Sequence, residues 1–368
     1  MKVTFPHMGY LNIPVRNMLT NLGIDIVEAP PITKRTVELG SLHSPEGVCL
    51  PYKINMGNFL EGLEQGADTV LTVCGAGKCR LGFYNAVQKI ALAKKQQAAV
   101  PIYTINTSTN LFPQLYKFLR AASPQSGRLE IIRNIALGIK TLKAFDAVND
   151  AKNFYGARAA SPADIINMNN DAAATLGKCC SFKEINQARD VIIAKMQPKT
   201  GQNTASPVKV GLIGEFYLLL EPYVNHRVED LLVSQGVEVK KFVYTGDWAY
   251  SRTLLEALGL YNEEKAYLAD ARPYLNYHVG GDGLKSVGSA LWCARHGYDG
   301  IIHVYPFGCI PEVVAQYALK NVANDCNLPM LTLSVDEHSS DVGIVTRVEA
   351  FVDCLKRRQK SGTQPKIY

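Results

Sequence analysis

Nine cysteines stand in a chain of 368 residues, and three of them occupy positions where a thiol can act rather than pack. Cys79 closes the loop Cys74-Gly75-Ala76-Gly77-Lys78-Cys79, which follows the apolar run Asp68 to Val73. Cys309 closes Pro306-Phe307-Gly308-Cys309 after the similar run Asp299 to Tyr305. Each comes ten or eleven residues after the Asp that opens its run. Cys49 lies in the turn-rich loop Ser44-Pro45-Glu46-Gly47-Val48-Cys49-Leu50-Pro51, which leads into a helix ending before Gly66. A loop thiol at a helix N-terminus is favoured as the thiolate, the form that binds metals.

The C-x4-C spacing of Cys74 and Cys79 also suits a metal, with Gly75 and Gly77 letting backbone N–H groups approach cluster sulfurs. Cys74 is thus a candidate fourth ligand. Structural zinc sites use close C-x2-4-C or His pairs, which this chain lacks. Widely separated thiolates suit an iron–sulfur cluster better, and three of them on a [4Fe–4S] cubane leave one iron open to substrate, water or sulfide. Cys293, Cys326 and Cys354 fall on apolar helical faces and read as small packed hydrophobes. Cys179-Cys180 stays undecided, because adjacent thiols point in different directions.

The elements that must position these thiols occur twice. Lys2 to Phe5 reads as a strand, Val15 to Leu22 as a helix and Ile24 to Val27 as a strand. After residue 207, Lys209 to Ile213, Val224 to Ser234 and Val237 to Val239 repeat that order. The runs ending before Cys79 and Cys309 are each followed by a helix (Gly82 to Lys95, Pro311 to Asn324) and a third strand (Val100 to Ile105, Leu328 to Val335). Strands alternating with helices imply parallel sheets. The middle of the chain has helical periodicity, clearest at Ile131 to Phe145 and Phe182 to Met196, and Pro198 to Pro207 reads as a linker. The expected fold is α/β: two flavodoxin-like or Rossmann-like parallel-sheet domains related by duplication (1–125 and 208–368) around a helical region with a linker (126–207). Ligands of such sheets bind beyond the carboxyl ends of the strands, so the three thiols are expected to meet across one cleft.

Composition removes several alternatives. A hydrophobic fraction of 47% excludes a disordered or fibrous chain. No apolar run approaches the roughly 20 residues of a membrane helix. Lys356, Arg357, Arg358, Lys360 and Lys366 supply five of the +6 net charges, leaving a body near +1, which is no footprint for nucleic acid. Met1 to His7 lacks an apolar export signal, so a cytoplasmic, reducing setting is expected.

Pro45-Glu46-Gly47-Val48-Cys49-Leu50-Pro51-Tyr52-Lys53, Cys79-Arg80-Leu81-Gly82-Phe83-Tyr84, Pro306-Phe307-Gly308-Cys309-Ile310-Pro311-Glu312, Asp336-Glu337-His338 and Thr346-Arg347-Val348-Glu349-Ala350-Phe351 together resemble the acyl-CoA dehydratase activase-related family. Gly214-Glu215 and Glu221-Pro222 lie between them. That family is similar to the D component of 2-hydroxyacyl-CoA dehydratases and to double-cubane cluster proteins. The resemblance implies two α/β domains plus a helical one, and an oxygen-sensitive iron–sulfur cluster on Cys49, Cys79 and Cys309. It also implies a partner ATPase of the actin/hexokinase type, with its own cluster, that supplies low-potential electrons. A [4Fe–4S] cubane and an [8Fe–9S] double cubane both stay open. The latter needs six thiolates at three per cubane, hence a homodimer or a partner subunit. No G-x4-G-K-[ST] phosphate loop occurs, so ATPase activity is not expected of this chain itself.

The remaining polar residues carry two readings each. Lys53 and Arg80 can offset an anionic cluster or be solvated surface groups, and Gly308, like Gly75, can let backbone approach it. Glu312 can donate protons or simply favour its helix N-terminus. Asp336, Glu337 and His338 can relay protons, or Asp336 can cap the last helix. Gly280-Gly281-Asp282-Gly283 can hold a phosphate or be a plain turn, and His226 and His296 read as helix-surface groups. Against reduction or dehydration of a small substrate stand an electron-carrying scaffold and a metal-free acyl-CoA-binding module.

Overall fold

The structure is a computed structural model describing residues 1–75, 79–96, 100–197, 206–255 and 269–361. In chain order its elements begin with β1 (Lys2–Thr4), α1 (Asn12–Asn21), β2 (Asp25–Ile26), α2 (Lys34–Leu42), α3 (Leu50–Glu64), β3 (Thr69–Cys74), α4 (Tyr84–Gln96), β4 (Ile102–Asn106) and α5 (Leu111–Ala122). Helices α6 (Arg128–Gly156), α7 (Pro162–Leu176) and α8 (Phe182–Met196) follow. The chain continues through β5 (Lys209–Gly214), α9 (Phe216–Leu220), α10 (Val228–Ser234), β6 (Glu238–Lys241) and α11 (Thr245–Tyr250). It ends with α12 (Gly283–Arg295), β7 (Gly300–Pro306), α13 (Ile310–Asp325), β8 (Met330–Val335) and α14 (Asp341–Lys360). Positions 198–205 of the expected linker lie outside the described residues. No helix among the described residues is long and apolar enough to cross a membrane.

The chain forms two compact units. The first holds Met1–Lys143, Cys179–Ile185 and a segment opening at Thr245; the second holds Ala144–Lys178, Asn186–Tyr244 and the described C-terminal part. Each contains one all-parallel four-stranded sheet, ordered β2-β1-β3-β4 in the first and β6-β5-β7-β8 in the second. The order 2-1-3-4 is of the flavodoxin type.

The repetition extends to single hydrogen bonds. In unit 1 the Asp68 carboxylate accepts the Lys2 N–H at 2.8 Å; in unit 2 the Asp299 carboxylate accepts the Lys209 N–H at 2.7 Å. The helix before the second strand ends alike in both, with Ile24 N–H donating to the Leu19 carbonyl and Val237 N–H to that of Leu232. Gly23 and Gly236 hold left-handed backbone at these turns, as helix C-termini favour. The two Asp latches differ in setting. Hydrogen bonds from Thr69 and Lys2 lower the pKa of exposed Asp68, whereas burial raises that of Asp299.

In unit 1, Val3, Leu19, Leu71, Phe118 and Ile131 fill one core and Tyr52, Phe59, Val70, Tyr84 and Leu92 another. Neighbours Val70 and Leu71 of β3 fall in different cores, as strand side chains alternate between sheet faces. Unit 2 packs Ile213, Ile301, Val287, Cys293, Leu319 and Val322 together.

Two helices depart from the sequence pattern. The periodicity of Ile131 to Phe145 stops eleven residues before α6 does, because the later turns carry Asp146, Asn149, Asp150, Lys152 and Asn153. Within unit 2, Asn149, Asn153, Lys152 and Lys241 all hydrogen-bond Glu229 or pair with it, at 2.5 to 3.3 Å. Burial alone would raise the pKa of Glu229; Lys152 and Lys241 reverse this and hold its carboxyl well below the usual range. The helix expected from Val224 starts only at Val228, since His226 and Arg227 take left-handed backbone.

Candidate functional site

Cys49 is placed by a close crossing of two helices in unit 1. A Cβ on Gly40 of α2 would lie 1.8 Å from the Lys53 carbonyl oxygen of α3, and one on Gly57 of α3 2.1 Å from that of Thr36. Backbone packs on backbone, and every α3 residue from Leu50 to Gly62 is buried. Cys49 is the N-cap of α3, in extended backbone (φ −72°, ψ 155°), with proline in the first turn. Its thiol is buried and lies 2.8 Å from the Tyr84 hydroxyl. Tyr52 meets the Tyr84 ring edge to face at 5.0 Å, and burial pushes the Tyr52 phenol up to about 12.

Cys79 is the N-cap of the four-residue turn Arg80–Phe83 that runs into α4. The Arg80 guanidinium donates to the Gly47 carbonyl, which ties the Cys79 loop to the loop that delivers Cys49. Lys53 is buried in α3 rather than solvated. The Gly75 N–H donates to the Leu81 carbonyl at 3.3 Å, while Gly77 lies outside the described residues. Cys74 ends β3 in the interior, where burial pushes its thiol pKa up, a setting that favours the neutral form.

Unit 2 repeats the cap. Cys309 is the N-cap of α13 in extended backbone (φ −72°, ψ 101°), again with proline in the first turn. Gly308 before it has φ +75°. Cys49-Leu50-Pro51 and Cys309-Ile310-Pro311 are therefore the same local device. Glu312 is fully buried: one carboxylate oxygen lies 2.7 Å from His303 Nε2 and accepts the Ser286 hydroxyl at 3.0 Å. Its other oxygen and His303 Nδ1 have no hydrogen-bond partner.

Glu215 follows β5 at the carboxyl end of this sheet. Gly214, paired with Val304, has φ +136°, and a Cβ there would lie 1.8 Å from the Val304 carbonyl oxygen, so only glycine fits. Glu215 then donates its N–H to that carbonyl and accepts the Leu218 N–H at 3.0 Å as N-cap of α9. The Asp282 carboxylate accepts the next N–H, from Phe216, at 3.1 Å. Burial, then the charge of Asp282, and in smaller part that of Glu312, push the half-buried Glu215 carboxyl up to about 8 against the pull of its backbone donors. In the sequence the one local mark of Glu215 is its place after Gly214 at the end of a strand.

The glycine loop packs. A Cβ on Gly283 would lie 2.6 Å from the Pro311 carbonyl oxygen, and one on Gly281 3.2 Å from the Pro311 ring. Its one side chain, Asp282, is a carboxyl group and not a cation, which favours the turn reading over the phosphate one. Asp336 does not cap α14, because the Ser340 hydroxyl does, accepting the Gly343 N–H at 3.3 Å. Asp336 instead folds its own loop, accepting the His338 N–H and the Ser339 hydroxyl, each at 3.0 Å. Glu337 is half-buried and the His338 side chain is exposed. His226 is not on a helix surface: it sits in a left-handed turn with its ring 2.5 Å from Asp341. His296 is exposed at the end of α12, stacked on Trp292.

Cys293 and Cys326 are buried, with raised thiol pKa values from burial. Cys354 is exposed on α14, contrary to the packing expected of it, and Cys180 is exposed beside half-buried Cys179. A shallow pocket on the flank of α13, lined by Tyr274, Tyr277, Val314 and Tyr317 among others, carries no cysteine. Among the described residues Cys49, Cys79 and Cys309 each N-cap a helical turn in extended backbone, a donor chemistry that fits thiolate ligation. Among the described residues no group of three or more His, Cys, Asp and Glu forms a site for a single metal ion. The chain matches no known family model and no curated protein.

Proposed function

We propose that the chain is an iron–sulfur redox protein related to the 2-hydroxyacyl-CoA dehydratase group, with Cys49, Cys79 and Cys309 as cluster ligands. The observation that carries this reading is the repeated cysteine cap, with Cys49 and Cys309 each opening a long helix through the same Cys-apolar-Pro sequence. A bound cluster would supply low-potential one-electron chemistry. The protein's own residues support it: Tyr84 hydrogen-bonds the Cys49 sulfur, Arg80 brings positive charge to the joined Cys49 and Cys79 loops, and Glu312 belongs to a buried polar group one turn past Cys309. Electrons are proposed to come from an ATP-hydrolysing partner and to serve reduction or dehydration of a small substrate.

Anaerobic reconstitution followed by iron and sulfide analysis and electron paramagnetic resonance tests it. Brown protein with about four iron per chain is expected for one cubane. Cys309→Ser should lose the cluster and Cys326→Ser keep it. Colourless protein after reconstitution rules the proposal out.

A further inference from the structure

The two sheets carry buried polar residues at the same place. Thr72 of β3 and His303 of β7 stand four residues after the matching Asp68 and Asp299. Each is buried and paired with a threonine of the edge strand, Thr104 or Thr332. In unit 2 the helix before the strand supplies Ser286 and the helix after it Glu312; Glu312 bonds His303 at 2.7 Å and Ser286 at 3.0 Å. In unit 1 the matching helices are α3 and α4, which supply Tyr52 and Gln88. There the Tyr52 hydroxyl, the Thr72 hydroxyl and both ends of the Gln88 amide have no hydrogen-bond partner. Tyr52, Thr72 and Gln88 are 0%, 2% and 0% exposed. We propose that these three residues form an internal water site, in which one bound water makes the connection that the His303 ring makes in unit 2.

The elements bring the three residues together. Tyr52 belongs to the core that holds Cys49, Val70, Tyr84 and Leu92. Gln88 lies one turn after Tyr84 and one turn before Leu92 on α4, hence on the face that meets this core. Thr72 lies two residues after Val70, hence on the same face of the sheet. Phe59, Leu60 and Val70, which share the core, offer no side-chain hydrogen bond. A buried amide bonded at neither end is costly, and internal water meets such groups in folded proteins, making about three hydrogen bonds. Tyr52, Thr72 and Gln88 are three uncharged partners, which suits water over an ion. Burial pushes the Tyr52 phenol up to about 12, so it stays a neutral donor. The site does not depend on the proposed cluster, although it shares a core with Cys49 and Tyr84.

Oxygen-17 relaxation dispersion of the full-length protein, which counts long-lived internal waters, tests this without any cluster. Gln88→Met keeps the length of the side chain and removes both polar ends; it should lose about one such water relative to the parent protein. Tyr52→Phe and Thr72→Val should each lose the same water, and Gln88→Met combined with Tyr52→Phe should lose no more than Gln88→Met alone. Cys326→Ala, in the other unit, should leave the count unchanged. An unchanged count in the Gln88, Tyr52 and Thr72 variants overturns the site, and losses that add in the double variant overturn a shared water. A crystal structure in which Gln88 bonds Tyr52 or Thr72 directly overturns it as well. If Gln88→Met does not fold, Tyr52→Phe and Thr72→Val, which only remove or replace a hydroxyl, decide the question.

Discussion

The Tyr84 hydroxyl lies 2.8 Å from the Cys49 sulfur, two buried groups brought together from the starts of two different helices. A hydroxyl beside a sulfur stabilises its anionic form and tunes a metal bound to it. Tyr84→Phe is expected to cost about 0.5–1.5 kcal/mol of stability. In reconstituted protein it should keep its iron but have a lower reduction potential, because hydrogen bonds to cluster sulfurs help set that potential. An unchanged potential in a redox titration would remove Tyr84 from the site.

The Glu229 network makes a strong stability prediction. Lys152 and Lys241 are buried against Glu229, and removing one partner of a buried pair leaves an uncompensated charge. Lys152→Met should cost about 3–5 kcal/mol in urea denaturation at pH 7. The loss should shrink in acid: a depressed carboxyl stabilises the fold above its ordinary value of 4.5 and stops doing so as pH falls towards its folded value.

Glu215 predicts the opposite pH trend. Its folded pKa is raised from 4.5 to about 8, so its contribution to stability is fully present below 4.5 and is lost as pH rises through 8. Glu215→Gln should therefore gain stability relative to the parent protein between pH 5 and pH 8, with the difference constant above. Thermal melts at pH 5, 7 and 9 read this directly.

Gly211 of β5 touches the core cysteine of α12. A Cβ there would lie 2.4 Å from Cys293 Sγ, so Gly211→Ala should destabilise by about 1–3 kcal/mol through overpacking. Adding Cys293→Ala should recover part of that loss, measured as a double-mutant cycle.

Much of this architecture can be read from residue order. The duplicated strands, the Asp just before β3 and β7, and the prolines after Cys49 and Cys309 are local signals, and each has a counterpart in the sheets and caps. The acid cluster is not local: Glu215, Asp282 and Glu312 meet only after β5 and β7 have paired. The second half of α6 is hidden for the same reason, since Asn149, Lys152 and Asn153 look like surface residues until Glu229 and Lys241 are folded against them. Asp336 is ambiguous in the sequence because a helix cap and an Asx turn use the same side chain, and Ser340 decides between them.

The backbone crossing at Gly40 and Gly57 bears on how the protein can vary over evolutionary time. A contact between side chains can drift by compensating swaps, but carbonyls seated where a Cβ would go leave no partner to adjust. Change at either glycine would be all or nothing, forcing α2 and α3 apart and moving the start of α3, with the sulfur of Cys49 that caps it. Even the smallest substitution at either glycine would act as a displacement of the proposed ligand rather than a local edit.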